Sequence, residues 1–107
     1  MAAFLHVDEA NFEQAVLKAA APVLLEFGAV WCQPCKQLEP VLLKLGDQWG
    51  EKVLLAKVAV DDSPDLAMRF TVMSVPTVIL FKSGQAVQRF SGFQSREKLL
   101  EKLAAFI

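Results

Sequence analysis

Apolar positions along this chain recur in two alternating periods. "FLHV" (4–7) is short and apolar enough for a first strand. "DEANFEQAVLKAA" then spaces Phe12, Val16 and Leu17 at helical intervals behind Asp8, a residue suited to capping a helix, and Pro22 closes that helix. "VLLEFGAV" (23–30) is a nearly unbroken apolar run, as in a strand covered on both faces. From Gln33 to Trp49 helical spacing returns through Leu38, Val41, Leu42, Leu45 and Trp49, with Pro40 expected to kink the helix. "KVLLAKVAV" reads as a second buried strand. "SPDLAMRF" reads as a short helix with a serine cap and a proline in its first turn. "PTVILF", "KSGQ" and "AVQRFSG" read as two strands joined by a tight glycine turn. The chain closes on "SREKLLEKLAAFI", an amphipathic helix whose Leu99, Leu100, Leu103 and Phe106 would face a sheet. Alternating strands and helices predict an α/β architecture.

Nothing in the pattern suggests a repeat, a low-complexity tract or a linker, so residues 1–107 are expected to form one domain. A composition of 54% apolar and 21% charged residues is that of a globular chain. The net charge of -1 provides no basic footprint for nucleic acid and no basic face for an anionic membrane, which leaves small molecules and protein surfaces as partners. No apolar run approaches the roughly 18–20 residues of a membrane span. The N-terminus has no basic leader and reaches an acid by Asp8. A cytoplasmic monomer is the expectation.

The chemistry is concentrated in "AVWCQPCK" (29–36), which holds both cysteines of the chain at the junction of a strand and the long helix. A helix N-terminus offers unpaired N–H groups and a partial positive charge, both of which favour a thiolate. Cys32, one step before the helix, is predicted to be the acidic and exposed thiol. Cys35, one turn further in, can fold back onto it to close a small disulfide ring. Pro34 fits the first helical turn and limits the freedom of that ring. Thiol–disulfide exchange follows, with Cys32 attacking a partner disulfide and Cys35 resolving the mixed disulfide. A zinc site would need four ligands where the chain offers two thiols and a distant His6, and a structural disulfide across two residues closes too short a loop to stabilise much.

"EFGAVWCQPCK" resembles the active-site segment of the thioredoxin family, in which a tryptophan precedes the first cysteine, a proline precedes the second and a lysine follows. "SVPTVILFKSGQAVQRFSG" resembles the segment of that family that carries a cis-proline, a strand, a glycine turn and a last strand ending in glycine. Pro40 and Lys57 also stand where family members usually have proline and lysine, and the similarity runs over essentially the whole chain. The resemblance implies a thioredoxin fold, a central five-stranded mixed sheet flanked by four helices. It implies that Pro76 is cis and lies against the cysteines. It also implies a substrate groove formed by Val75, Pro76 and Gly92 with Trp31, Gln33 and Pro34. No cofactor beyond the Cys32–Cys35 disulfide and no metal are implied. The implied partners are protein disulfides and a thioredoxin reductase as electron donor.

Glu26 and Lys57 each interrupt an apolar strand. Charges buried without partners are costly, so these two are expected to find each other or water. The family usually places a buried aspartate at position 26, where it takes the proton of the resolving cysteine, and burial should raise the pKa of Glu26 toward that task. Two departures bear on redox poise. Gln33 replaces the usual glycine between the first cysteine and the proline, and Gly28 replaces a usually bulky residue. Other functions in view are an isomerase or oxidant on the same fold, and a non-catalytic module that binds partners through the Pro76 groove. His6 is expected to be a strand-edge histidine. Asp61, Asp62 and Asp65 are expected to complement a helix dipole rather than hold a cation. Trp49, Met68, Phe70 and Met73 are expected in the core or the groove wall.

Overall fold

The computed structural model describes residues 2–107. Five strands, β1 (Leu5–His6), β2 (Val23–Gly28), β3 (Leu54–Ala59), β4 (Thr77–Lys82) and β5 (Gln85–Ser91), form one sheet in the order β1-β3-β2-β4-β5. β1 and β2 run parallel to β3, while β4 and β5 are antiparallel to their neighbours. The sheet is therefore mixed. β2 sits at its centre with all six residues buried, as its unbroken apolar run requires.

Three α-helices, α1 (Gln33–Trp49), α2 (Pro64–Arg69) and α3 (Arg96–Leu103), cover the sheet together with a helical segment at Glu13–Leu17. Leu38, Leu42 and Leu45 of α1 and Leu99 and Leu103 of α3 pack on one face, against Leu24, Val78, Leu80 and Phe90. The opposite face buries Phe12, Val16 and Leu66 against Leu25, Phe27, Ile79 and Phe81. Phe70 joins this second core, its ring 5.4 Å from that of Phe12 and 5.3 Å from that of Phe81.

The first helix departs from its expected form. Asp8 caps the turn before it, accepting from the backbone N–H groups of Ala10 and Asn11 while the Asn11 side chain accepts from Asp8 N–H, but the residue that opens the helical segment, Phe12, makes no side-chain capping bond. The turns that follow are wide: Lys18 N–H donates to Glu13 C=O, five residues back, at 2.9 Å. This first helical segment, Glu13–Leu17, is thus π-helical and only five residues long. α2 differs in its cap. The Ser63 side chain makes no capping bond, and the Glu9 carboxylate of a neighbouring loop accepts from Asp65 N–H at 3.1 Å instead. α1 runs through Pro40 without interruption.

The β4–β5 turn consists of Ser83 and Gly84, both at positive φ (53° and 79°), a conformation that matches the twist of a two-residue hairpin. A Cβ on Gly84 would also stand 3.1 Å from the Leu17 carbonyl oxygen. Gly84→Ala should cost about 1–2 kcal/mol of stability, measurable as a lower urea midpoint at an unchanged m-value.

Candidate active site

Cys32 occupies the N-cap of α1 with extended backbone (φ -90°, ψ 109°), and its sulfur accepts from Cys35 N–H at 3.2 Å. A sulfur in that position meets the unpaired N–H groups of the first turn, where negative charge is favoured. Cys32 and Cys35 are joined as a disulfide with their Cα atoms 5.3 Å apart. Cys32 is only 3% exposed, which corrects the expectation of an exposed thiol. The N-cap side chain folds back over the first turn, and its bond to Cys35 holds it there. Gln33 and Pro34, in that same turn, are exposed and form the outer rim.

Gly28 ends β2 directly beneath Cys35. A Cβ at Gly28 would lie 3.3 Å from Cys35 Sγ and 3.6 Å from the Glu26 carboxyl carbon. Glu26 and Cys35 therefore flank the same point, and the missing side chain of Gly28 leaves the space between them open. A cavity of about 690 Å³ reaches this point from the β3 side, lined among others by Glu26, Gly28, Lys36, Glu39 and Lys57.

Glu26 is fully buried, and neither carboxyl oxygen has a hydrogen bond of normal geometry. Burial pushes its pKa from 4.5 up to about 8; the close approach of the Glu39 carboxyl adds to the rise, and Lys57 opposes it. Glu26 and Lys57 are register partners on adjacent parallel strands, yet the expected pairing between them is absent. Lys57 Nζ lies 3.4 Å from Glu39 Oε1, on α1, and 5.4 Å from the centre of the Phe4 ring. The reason is desolvation. The long lysine stem carries its ammonium to the cavity mouth, where the side chain stays 32% exposed, and a fully buried pair with Glu26 would forfeit that hydration.

The antiparallel register sets Phe27, near the end of β2, beside Thr77 at the start of β4. Pro76 and the loop leading to Cys32 thus share one end of the sheet. The Val75–Pro76 peptide is cis, and Pro76 C=O accepts from Gly92 N–H at 2.8 Å. Thr77 Oγ1 donates to Ser74 C=O at 2.7 Å and braces the turn from within. Pro76 is buried, while Val75 and Gly92 are half-buried.

Apolar side chains are exposed at this end of the sheet. β2 stops at Gly28, short of the predicted strand end, and leaves Val30 82% exposed. Met73, two residues before Val75, and Phe93, next to Gly92, are exposed as well, so Met73 is no part of the core. Met68 is likewise exposed, whereas Phe70 packs half-buried against the core of the opposite face and Trp49, at the end of α1, packs half-buried against the core beneath that helix. Trp31 is 64% exposed, and its indole N–H donates to Asp61 Oδ2 at 2.8 Å. His6 lies exposed on edge strand β1, at the rim of the cavity. Among the described residues, no three His, Cys, Asp or Glu side chains converge as metal ligands.

A disulfide closed across the first turn of a helix, with a buried carboxyl beneath its inner sulfur, defines a dithiol–disulfide redox protein on an α/β sheet. Residues 3–105 match the family model described as Thioredoxin. The chain is 41% identical over 102 residues to a thioredoxin of Alicyclobacillus acidocaldarius, covering 95% of this chain and 96% of that protein. It is 40% identical over 101 residues to a thioredoxin of Staphylococcus haemolyticus, covering 94% and 95%. It is also 40% identical over 100 residues to the bifunctional thioredoxin reductase/thioredoxin of Mycobacterium leprae, covering 94% of this chain and 22% of that protein. The chain belongs to the thioredoxin family, and it is a thiol–disulfide oxidoreductase that reduces protein disulfides.

Proposed function

We propose that Cys32 is the nucleophile, Cys35 the resolving thiol and Glu26 the proton acceptor of this reduction. In the dithiol form, the Cys32 thiolate attacks one sulfur of a substrate disulfide; a new S–S bond forms and the other substrate sulfur leaves as a thiolate. Cys35 then passes its proton to the Glu26 carboxylate, and its thiolate attacks Cys32 Sγ. That attack breaks the mixed disulfide and releases the second substrate thiolate. The substrate gains two electrons and the chain ends as the disulfide. A carboxyl whose pKa lies near neutral serves in both directions, as base here and as acid when the pair is reduced again.

The observation that carries this reading is the approach of Cys35 Sγ and the Glu26 carboxyl to one point beside Gly28. Val75, Pro76 and Gly92 offer an extended substrate segment a backbone edge at the mouth of the site, in the manner of strand addition, with Trp31, Gln33 and Pro34 as the opposite wall. Lys57 assists by holding charge at the cavity mouth. Residues 1–107 act as one domain, a cytoplasmic monomer with no cofactor beyond the disulfide. Its electron donor is a thioredoxin reductase, a pairing supported by the Mycobacterium leprae relative, whose name joins the two activities.

The first test is the reduction potential of the pair, measured by equilibration against glutathione and dithiol buffers. Gln33 is exposed and neutral, so it adds no charge beside Cys32. The expected value lies near the thioredoxin benchmark of about -270 mV. A value above about -200 mV would make the chain an isomerase or oxidant, and a pair that never titrates would overturn exchange altogether.

A further inference from the structure

We propose that Glu39 is a positioning residue that sets the protonation of Glu26, by holding the Lys57 ammonium at the cavity mouth and presenting a second carboxyl to the first. The inference rests on the reading of Glu26 as the proton acceptor and extends it to a residue of α1.

Strand register places Lys57 beside Glu26, on the face of the sheet that α1 covers. With nothing else in reach, the ammonium would be the natural counter-ion of that carboxyl. Glu39 instead takes it at 3.4 Å, in a pair whose side chains are 32% and 26% exposed. Both Glu26 oxygens are left without a hydrogen-bond partner. At the point where Glu39 meets Lys57, the ammonium is already paired with one carboxylate, and a proton on Glu26 spares the cavity a second buried negative charge. A like charge nearby and a displaced counter-ion act in the same direction, toward a protonated Glu26.

The other titratable groups around the cavity are His6 on β1, Asp8 in the loop after it, Lys36 on α1 and Asp62 after β3. Lys36 lies one helical turn before Glu39 and is exposed to solvent. Glu39 alone among the cavity groups contacts Lys57 through an ion pair. It stands three residues after Lys36 and one before Pro40, so docking α1 on β3 brings it over the cavity without any special backbone.

The test is a ¹³C NMR titration of the oxidised chain labelled at glutamate carboxyl carbons, with Glu26 assigned from the signal missing in Glu26→Gln. In Glu39→Gln, which keeps the volume and loses the charge, the Glu26 midpoint should fall by about one unit or more, and Glu39→Asp should restore part of it. An unchanged midpoint in Glu39→Gln overturns the proposal. The pH profile of disulfide reduction, recorded on the same variants, separates this from the reading beneath it. If the midpoint falls and the profile follows, both stand. If the midpoint falls while the profile stays, Glu39 still positions Glu26, but Glu26 is not the proton acceptor. Thermal unfolding of Glu39→Gln should match that of the parent, since the site is partly exposed and its volume is conserved.

Discussion

Replacing Cys32 by serine should abolish disulfide reduction, whereas replacing Cys35 by serine should leave the first step intact and trap its product. A serine hydroxyl is not ionised near neutral pH, so Cys32→Ser leaves the N-cap without the thiolate that attacks. Reduction then falls to the background of free thiol exchange. In Cys35→Ser the attack proceeds, but nothing resolves the mixed disulfide, and the partner stays covalently bound to Cys32. Non-reducing gels should show adducts that dithiothreitol dissolves, and mass spectrometry should place the link on Cys32. The two variants fail in different ways because the two sulfurs are placed differently: one caps the helix, and the other lies fully buried over Gly28 and Glu26. Cys32 is then the only cysteine of the chain, and the absence of any adduct would point to a module that binds through the Pro76 edge without chemistry. Neither change should unfold the chain, since a disulfide across so short a loop constrains the unfolded state little.

The elements and the α/β architecture were legible in the sequence because each element is specified locally, while the mixed five-stranded sheet rested on the resemblance to the thioredoxin family. The apolar run of β2, the helical spacing of Leu38, Leu42 and Leu45, and the serine–glycine turn before β5 each specify a structure within a few residues. The cysteine pair was legible for the same reason, since spacing and helix position suffice to predict its chemistry. Three features of the site were not. Glu39 occupies an ordinary polar position in the pattern of α1, and only the packing of that helix on β3 turns it toward Lys57 and Glu26. Asp61 became the partner of Trp31 through a contact between loops thirty residues apart. Val30, Met73 and Phe93 are apolar, and an apolar residue in a short loop is assigned to the core or to the surface by tertiary contacts alone. What escaped the sequence was the set of neighbours each charged or apolar side chain finds across elements.

Glu26→Gln should yield an oxidised chain that is more stable than the parent at alkaline pH and slower in exchange. The native carboxyl titrates near 8, and the unfolded one near 4.5. Below pH 4.5 both states hold the proton, and the contribution of the group to stability is fully present. Between 4.5 and about 8 the native state holds a proton that the unfolded state has released, so stability falls as pH rises; above about 8 the loss is complete. Glutamine removes this dependence. Urea unfolding of the two proteins should therefore give curves that diverge from acid to alkaline pH, by on the order of a few kcal/mol at the alkaline end, with the variant above. Curves that run parallel would mean that the Glu26 carboxyl titrates alike in the native and unfolded states, hydrated by water entering through the cavity between β3 and α1. The kinetic cost is the counterpart of that stability. An amide at this position cannot take up a proton from Cys35, so the variant tests the proposed role of Glu26 directly. Reduction by Glu26→Gln should fall most at neutral pH and recover as alkaline pH ionises Cys35 without help, so a loss independent of pH would remove Glu26 from the proton path.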